Sequence, residues 1–338
     1  MTIRIKTKTL FFTLFAAFSL LAEGFQEDGL YPSSIILLDD YFSHHVLVVE
    51  KSTHKLYLFE NNAGMAKHIK TFQTATGKIN GNKLNEGDHK TPEGIYQLNG
   101  FHSQKDLISR FGKEGEIYGQ GAFTTNYPNF IDKITNKSGN GIWLHSTNDE
   151  SRIAKGLDSR GCVVVANNDL IEISKYIDLK NTSIVIVQDL NFHKEDTWTT
   201  NKTNIQSTIE NWLTAWQEKN FNEYISFYHQ REYRDSFRPS YHAFKNYKRN
   251  VFRAPGKPEI KLDHLSILQF NDYIVAQFQQ SYRSNTIQDV GKKILYLKKD
   301  HDYRWKIVHE EWQKLEEQPQ VAFSPSHRFF EQEKNNPN

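Results

Sequence analysis

The sequence predicts two domains, a mostly β unit followed by an α+β unit. Three observations indicate this division. The chain has 338 residues, more than one average domain. Up to Leu190 its apolar residues alternate in short runs, whereas after residue 203 they first follow a helical spacing and then alternate in longer runs. Between these parts, the polar and threonine-rich stretch NFHKEDTWTTNKT predicts a linker over residues 191–203.

The first domain is predicted to cover residues 44–190. HVLVVEKSTHKLYLFE contains two alternating apolar runs around a polar turn, which indicates a β-hairpin, and TSIVIVQDL predicts a closing strand. KINGNKLNEGDHKTPEG is dense in Gly, Asn and Asp and predicts a long ordered loop. NDLIEISKYI has helical spacing. Strands therefore dominate this domain, with short helices between them.

The second domain is predicted to cover residues 204–315. Apolar residues at helical spacing in IQSTIENWLTAWQEKNFNEYISFYH and SYHAFKNYKRNVF predict helices. Four alternating segments follow and predict antiparallel strands. Helices followed by a run of such strands are typical of an α+β unit. Residues 316–338 are polar with several prolines and predict a tail.

The N-terminus has the features of a targeting segment. Arg4, Lys6 and Lys8 precede an uncharged apolar run that is too short to span a bilayer comfortably. This order of features predicts a signal peptide over residues 1–22, with an uncleaved anchor or a buried helix as the alternatives. The formal net charge of the whole chain is only +2. A nearly neutral chain has no general attraction to nucleic acid, which argues against a nucleic-acid-binding function.

Cys162 is the only cysteine of the chain. In an oxidising compartment it has no internal disulfide partner, so it is a buried apolar residue, an intermolecular partner or a working thiolate. A nucleophilic cysteine needs a base and donors for the oxyanion. Gly161 lets the backbone come close, and His145, in GIWLHST, lies 17 residues upstream. Spacing alone leaves the structural and the catalytic interpretations open.

Three sequence blocks together resemble the L,D-transpeptidase (YkuD-type) catalytic domain. IWLHST followed by SRGCVVVAN resembles its active-site signature, a histidine, a variable loop and then Ser/Thr-x-Gly-Cys. GDHKTPEG resembles its Gly-Asp-x-x-Thr-Pro-Glu-Gly hairpin, and NYP its Asn-Tyr-Pro segment. The blocks stand in the family's order over residues 45–188. This resemblance implies a β-sandwich with short helices, while the second domain resembles an NTF2-like domain, a curved antiparallel sheet wrapped by helices.

The resemblance implies a cysteine enzyme that acts on peptidoglycan stem peptides without a metal or an organic cofactor. Cys162 would attack the carbonyl before a terminal D-alanine, and His145 would act as general base and then acid. The main-chain carbonyl of Ser146 would hold the other imidazole nitrogen, and the N–H groups of Gly161 and Cys162 would form the oxyanion hole. A protonated His145 would favour the thiolate, so that Cys162 would react quickly with iodoacetamide below pH 8.

The chain departs from the family pattern beside the cysteine. Arg160 stands where many members have histidine, and Val164 stands where an arginine is common. Arg160 is a candidate for binding a substrate carboxylate or lowering the pKa of Cys162, with a role in loop structure as the alternative. Ser159, Trp143 and Tyr118 are the other candidate substrate-binding residues.

This order of domains is similar to that of cell-shape L,D-carboxypeptidases of Gram-negative bacteria. The similarity favours a periplasmic enzyme that trims tetrapeptide stems and influences cell shape, although it is an analogy of architecture. An L,D-transpeptidase that forms 3-3 crosslinks or attaches a protein to the wall would use the same residues and stays open. So does a non-catalytic wall-binding module. The NTF2-like domain leaves open a ligand or a homodimer.

Overall fold

The computed structural model describes residues 29–315 and 323–330. The predicted signal peptide, residues 1–22, lies outside the described residues. Within the described ranges, no helix is long and apolar enough to cross a membrane.

The strands of the described chain are β1 (Leu30–Pro32), β2 (Ile35–Leu37), β3 (His45–Glu50), β4 (Lys55–Asn62), β5 (Met65–Gly77), β6 (Gly94–Ser103), β7 (Gly121–Thr125), β8 (Trp143–His145), β9 (Leu157–Ser159), β10 (Val163–Val165), β11 (Ser183–Val187), β12 (Phe192–Lys194), β13 (Glu259–Phe270), β14 (Tyr273–Arg283), β15 (Gln288–Lys299) and β16 (Trp305–Lys314). Its α-helices are α1 (Gln104–Phe111), α2 (Phe130–Ile134), α3 (Asn167–Ser174), α4 (Glu195–Gln217), α5 (Phe221–Ser226) and α6 (Tyr241–Arg253).

The first domain is mostly β, as predicted, but its strands form one closed sheet. Nine described strands are hydrogen-bonded in the order β10-β8-β7-β6-β11-β3-β4-β5-β9. The 13-residue β5 is long enough to pair with β4 and, near its end, with β10, where Val164 faces Ala75. Because β10 also pairs with β8, the sheet closes on itself. The expectation of a sandwich of two separate sheets is therefore wrong in this detail.

The second domain is α+β, as predicted, with helices α4 to α6 packed on a sheet of β13 to β16. A fifth strand, β2, joins this sheet through pairing of Leu37 with Ile267. This strand precedes the first domain in sequence. Its place was not predicted, because three residues of strand carry too little alternation to reveal a partner more than 200 positions away.

The predicted linker, residues 191–203, is regular structure instead. It contains β12, which pairs with β1, and the first part of α4. The physical reason is Trp198, which is buried in this otherwise polar stretch. Its indole N–H donates to the Ile35 carbonyl at 3.1 Å, and its ring stacks on Tyr31 with centroids 4.5 Å apart. A single apolar residue among polar ones gives no helical periodicity, although it anchors the helix.

The two domains meet through a buried apolar interface. β3 is buried on both faces: Leu47 and Val49 face the interior of the closed sheet, whereas Val46 and Val48 pack toward the second domain. The partners contributed by the second domain are Leu268, Tyr273, Val275, Ile294, Tyr296 and Val308. An apolar contact of this kind holds two domains in one orientation more firmly than a polar one.

The predicted tail is not wholly polar surface. Phe323 stacks on His44 of the first domain, with ring centroids 3.6 Å apart. Phe329 packs edge-on against Phe123 at 5.0 Å. Residues 323–330 therefore return to the first domain after the second domain ends. Their aromatic side chains find partners that are distant in sequence, which composition alone does not show.

We expect Tyr273→Phe to lower the free energy of unfolding by about 1–3 kcal/mol. The buried Tyr273 hydroxyl accepts the Ile95 N–H across the domain interface at 2.8 Å, and its loss leaves that buried N–H unpaired. Urea unfolding followed by tryptophan fluorescence measures the change. Tyr303→Phe is the matched control, because Tyr303 is 82% exposed and should change stability by less than about 0.5 kcal/mol. Equal stability of the two variants would contradict this account of the interface.

Candidate active site

The parallel pairing of β8 with β10 places the cysteine and the histidine on one face. Leu144 pairs with Val163, and His145 pairs with Val164. Cys162 directly precedes β10 and is therefore level with Trp143. Residues two apart along a strand point to the same side, and paired residues of neighbouring strands do so as well. The side chains of Cys162 and His145 thus lie diagonally across two adjacent strands, as the sequence interpretation required.

His145 is buried, and its orientation is fixed by the main chain. Its Nδ1 lies 2.5 Å from the Ser146 carbonyl oxygen, so Nδ1 carries the hydrogen and donates it. Nε2 is left with a lone pair to act as a base. The Ser146 hydroxyl accepts the Gln120 N–H at 2.7 Å, and the Tyr118 ring packs edge-on against the imidazole at 4.9 Å. Ser146 and Tyr118, both predicted site residues, therefore support the base.

The turn before the cysteine is shaped by Ser159. Its hydroxyl accepts the Gly161 N–H at 3.0 Å and donates to the Cys162 carbonyl at 2.6 Å. Two expectations change as a result. Ser159 is buried and acts on the turn, where the sequence suggested substrate binding, and the Gly161 N–H is already occupied, where the sequence suggested an oxyanion donor.

Gly161 is required at this turn because its φ is +128°, a conformation that side chains rarely adopt. A Cβ there would lie 2.8 Å from the Lys90 carbonyl oxygen. The neighbouring Thr91 hydroxyl donates to the Gly161 carbonyl at 2.9 Å. The loop between β5 and β6, which carries Lys90 and Thr91, therefore supports the cysteine turn.

The site lies in an open cleft of about 860 Å³. Of the predicted residues, Tyr118, His145, Ser159, Arg160 and Cys162 line it. The other lining residues are Lys78, Phe111, Lys113, Glu114, Ile117, Asn148, Asp149, Arg152, Lys155 and Asp158.

Of two predicted substrate-binding residues, Arg160 lines the cleft and Trp143 does not. Arg160 is exposed at the cleft, and its guanidinium has no ion pair or hydrogen bond to any part of the chain that the structure describes. Trp143 does not line the cleft; its ring packs against Tyr118, with centroids 5.2 Å apart. Trp143 therefore acts on the site through Tyr118 and through its own backbone.

Burial holds the pair uncharged in the resting protein. It raises the pKa of the Cys162 thiol to about 11, against a backbone hydrogen bond from Trp143 and the positive charge of Arg152. Burial also lowers the pKa of His145 to about 4, although its hydrogen bond to Ser146 works in the opposite direction. The thiol lies 3.4 Å from the Gly141 carbonyl oxygen, which accepts its hydrogen. Both pKa shifts favour a neutral thiol and a neutral imidazole over the expected thiolate–imidazolium pair.

Family models match both domains of the chain. The L,D-transpeptidase catalytic domain (YkuD) matches residues 44–187, and the Cds6 C-terminal NTF2-like domain matches residues 204–311. The structure of Bdellovibrio bacteriovorus Bd1075 is 33% identical, covers 86% of this chain and 100% of that chain, and has a TM-score of 0.74. The chain belongs to the L,D-transpeptidase (YkuD) family. The predicted resemblance is thus confirmed, including the C-terminal NTF2-like domain.

Two further structures are similar to this L,D-transpeptidase-family chain. The helical cell shape determining protein Pgp2 from Campylobacter jejuni is 26% identical over 82% of this chain and 95% of that chain, with a TM-score of 0.66. A point mutant of Pgp2 is 25% identical over 82% and 94%, with a TM-score of 0.64. No curated protein matches the chain. The YkuD family acts on peptidoglycan, so this chain is a member of a peptidoglycan-acting family.

Sequence reasoning missed one residue of the L,D-transpeptidase-family site, Arg152. It lies in a short 3₁₀ helix, Glu150–Lys155, within the loop between His145 and Cys162. Its charge favours the thiolate form of Cys162 and disfavours the imidazolium form of His145. The only signal in the sequence was an arginine and an aspartate in one polar loop, which is common on protein surfaces.

We expect alkylation of Cys162 by iodoacetamide, without substrate, to accelerate about tenfold per pH unit from pH 7 to pH 10. The reason is the raised pKa of the partly buried thiol, which keeps the reactive thiolate scarce at neutral pH. Mass spectrometry of the intact protein measures the rate. In the urea-unfolded control the same thiol should level off above about pH 8.5. Rapid alkylation at pH 6 that is lost in His145→Gln would instead demonstrate a preformed ion pair.

We also expect His145 to make stability fall on acidification. The pKa of His145 is about 4 in the folded protein and 6.5 ordinarily. Between pH 4 and pH 6.5, His145 is therefore protonated in the unfolded chain and neutral in the folded protein. The stability advantage of the wild type over His145→Gln should decrease by up to about 3 kcal/mol from pH 7 to pH 4. Urea unfolding at each pH provides the measurement. Parallel pH profiles for the two proteins would contradict the burial effect.

Proposed function

We propose that this protein is a cysteine L,D-carboxypeptidase that removes the terminal D-alanine from tetrapeptide stems of peptidoglycan. The observation that carries the proposal is the placement of Cys162 and His145 on one sheet face in one open cleft. The Ser146 carbonyl fixes the histidine so that Nε2 is the available base. Nucleophile, base and orienting group are the three parts that thiol acyl transfer needs.

The reaction starts with a neutral thiol. As the sulfur attacks the carbonyl carbon before the D-alanine, the thiol proton passes to Nε2 of His145. The C–N bond then breaks, the proton is returned to the leaving amine, and D-alanine departs. A water molecule, deprotonated by the same histidine, attacks the thioester; the carboxylate of a tripeptide stem forms and the Cys162 thiol is restored. Every proton is returned, so no other reactant is needed.

The oxyanion of the tetrahedral intermediate needs donors close to Cys162. We assign this role to the Cys162 N–H. The Gly161 N–H joins it only when Ser159 turns its hydroxyl away, because the two are hydrogen-bonded in the resting protein.

The choice of hydrolysis over crosslinking rests on the analogy of domain order with cell-shape L,D-carboxypeptidases. The structure of Pgp2, which is named for determining helical cell shape, matches over most of both chains. We therefore propose that stem trimming by this protein influences cell shape, and that it acts in the periplasm after export through residues 1–22. The second candidate is an L,D-transpeptidase, which forms 3-3 crosslinks or attaches a protein to the wall, because an amine that enters the open cleft would replace water at the thioester. A third, of another class, is a non-catalytic wall-binding module.

We expect the protein without residues 1–22 to convert tetrapeptide muropeptides into tripeptides and free D-alanine, detected by mass spectrometry. Cys162→Ser and His145→Gln should each reduce the rate by at least about a hundredfold, since they remove the nucleophile or the base. Tyr303→Phe, an exposed change remote from the cleft, is the control and should retain the wild-type rate.

Each other outcome selects another function. Dimeric muropeptides as the main product would establish transpeptidation and contradict the carboxypeptidase. Binding to isolated sacculi without any change in stem mass, equal in the wild type and Cys162→Ser, would establish a wall-binding module.

A further inference from the structure

Arg152 differs from the other charged residues of the cleft in two ways. Its guanidinium is held in place by neighbouring side chains, and some of its N–H donors still have no hydrogen-bond partner among the described residues. Its Nε pairs with the carboxylate of Asp158, and one terminal nitrogen donates to the Thr147 hydroxyl at 3.2 Å. A guanidinium has five N–H donors. Within residues 29–315 and 323–330, the side chain of Arg152 has no other hydrogen-bond or ion-pair partner. Most of its donor capacity is therefore available to a ligand in the cleft that it lines.

The partners of Arg152 place it on the side of the cleft where the leaving group must lie. Thr147 follows His145 by two residues on the strand end that carries the base. His145 gives its proton to the leaving amine, so the departing D-alanine lies next to His145. A cation on that side meets the carboxylate of the same amino acid, because only one carbon separates its nitrogen from its carboxyl group.

The cleft is otherwise suited to an anion. Its cations are Lys78, Lys113, Arg152, Lys155 and Arg160, against the acids Glu114, Asp149 and Asp158. Asp158 is already shared between Arg152 and Lys155. Arg160 is the alternative residue for binding a substrate carboxylate, but its side chain is exposed and has no hydrogen-bond or ion-pair partner among the described residues. A restrained guanidinium loses less conformational freedom when it binds and therefore discriminates better.

We infer that Arg152 is a specificity-determining residue that binds the terminal carboxylate of the leaving D-alanine, so that the enzyme removes terminal residues and spares internal bonds. This inference rests on the proposed carboxypeptidase function. The interaction is a charge-assisted hydrogen bond between a planar fork and a carboxylate, for which arginine is the best suited side chain.

The test compares a tetrapeptide stem with the same peptide ending in D-alaninamide. The wild type should prefer the free acid by about tenfold or more in kcat/KM, the effect of one charge-assisted bond. Arg152→Met should reduce this acid-to-amide ratio to about one, mainly through slower cleavage of the acid. Lys155→Met is the matched control: it removes a positive charge from the same loop and the same Asp158, yet it should retain the preference.

The acid-to-amide ratio of kcat/KM shows whether Arg152 binds the substrate carboxylate or only holds the loop in place. If Arg152 only positions the loop, Arg152→Met slows both peptides equally and the preference survives, which overturns the inference. A preference lost in Arg160→Met and retained in Arg152→Met overturns it as well. Should Arg152→Met fail to fold, Arg152→Lys decides, because loss of the fork should lower the ratio several-fold and an unchanged ratio contradicts the role.

The rates of the wild-type protein test the role of Arg152 separately from the carboxypeptidase function. Cleavage of acid and amide at equal rates overturns the role of Arg152 and leaves the carboxypeptidase intact. Cleavage of neither peptide, with the fold verified by cooperative urea unfolding, overturns both.

Discussion

The parallel pairing of β8 with β10 is the constraint on which the site depends. These two strands, three residues each, bring His145 and Cys162, which are 17 positions apart, to one face of a sheet. The register of β8 and β10 is fixed by contacts with other segments of the first domain. β5 pairs with β10 and closes the sheet, while the Thr91–Gly161 hydrogen bond joins the loop between β5 and β6 to the cysteine turn. A shift of one residue would turn every side chain to the opposite face, so the closed sheet keeps His145 and Cys162 on the same face.

The second domain supports the first without entering the cleft. Every residue that lines the cleft lies between Lys78 and Cys162, in the first domain. The second domain instead covers the outer face of β3 and takes up β2, while residues 323–330 return to the first domain. The chain thus crosses between the domains three times in the described residues. A cleft built by one domain and left open by the other is compatible with a long wall polymer as substrate.

Burial, more than charge, sets the resting state of the site. The low-dielectric surroundings disfavour both the thiolate form of Cys162 and the imidazolium form of His145. Arg152 lowers the cost of forming the thiolate without providing a permanent ion pair.

The sequence by itself determined the two domains, the mostly β and α+β classes, and the group of Cys162, His145 and Ser146, because these rest on periodicity and on short motifs whose residues are close in sequence. Only the tertiary structure decided the closure of the sheet, the place of β2, the helical start of α4 around Trp198, the occupation of the Gly161 N–H and the position of Arg152. Each of these depends on a partner that a local pattern does not specify. Pairing between segments that are distant in sequence depends on the total burial and hydrogen bonding of the folded chain. The sequence of one segment alone does not specify its partner.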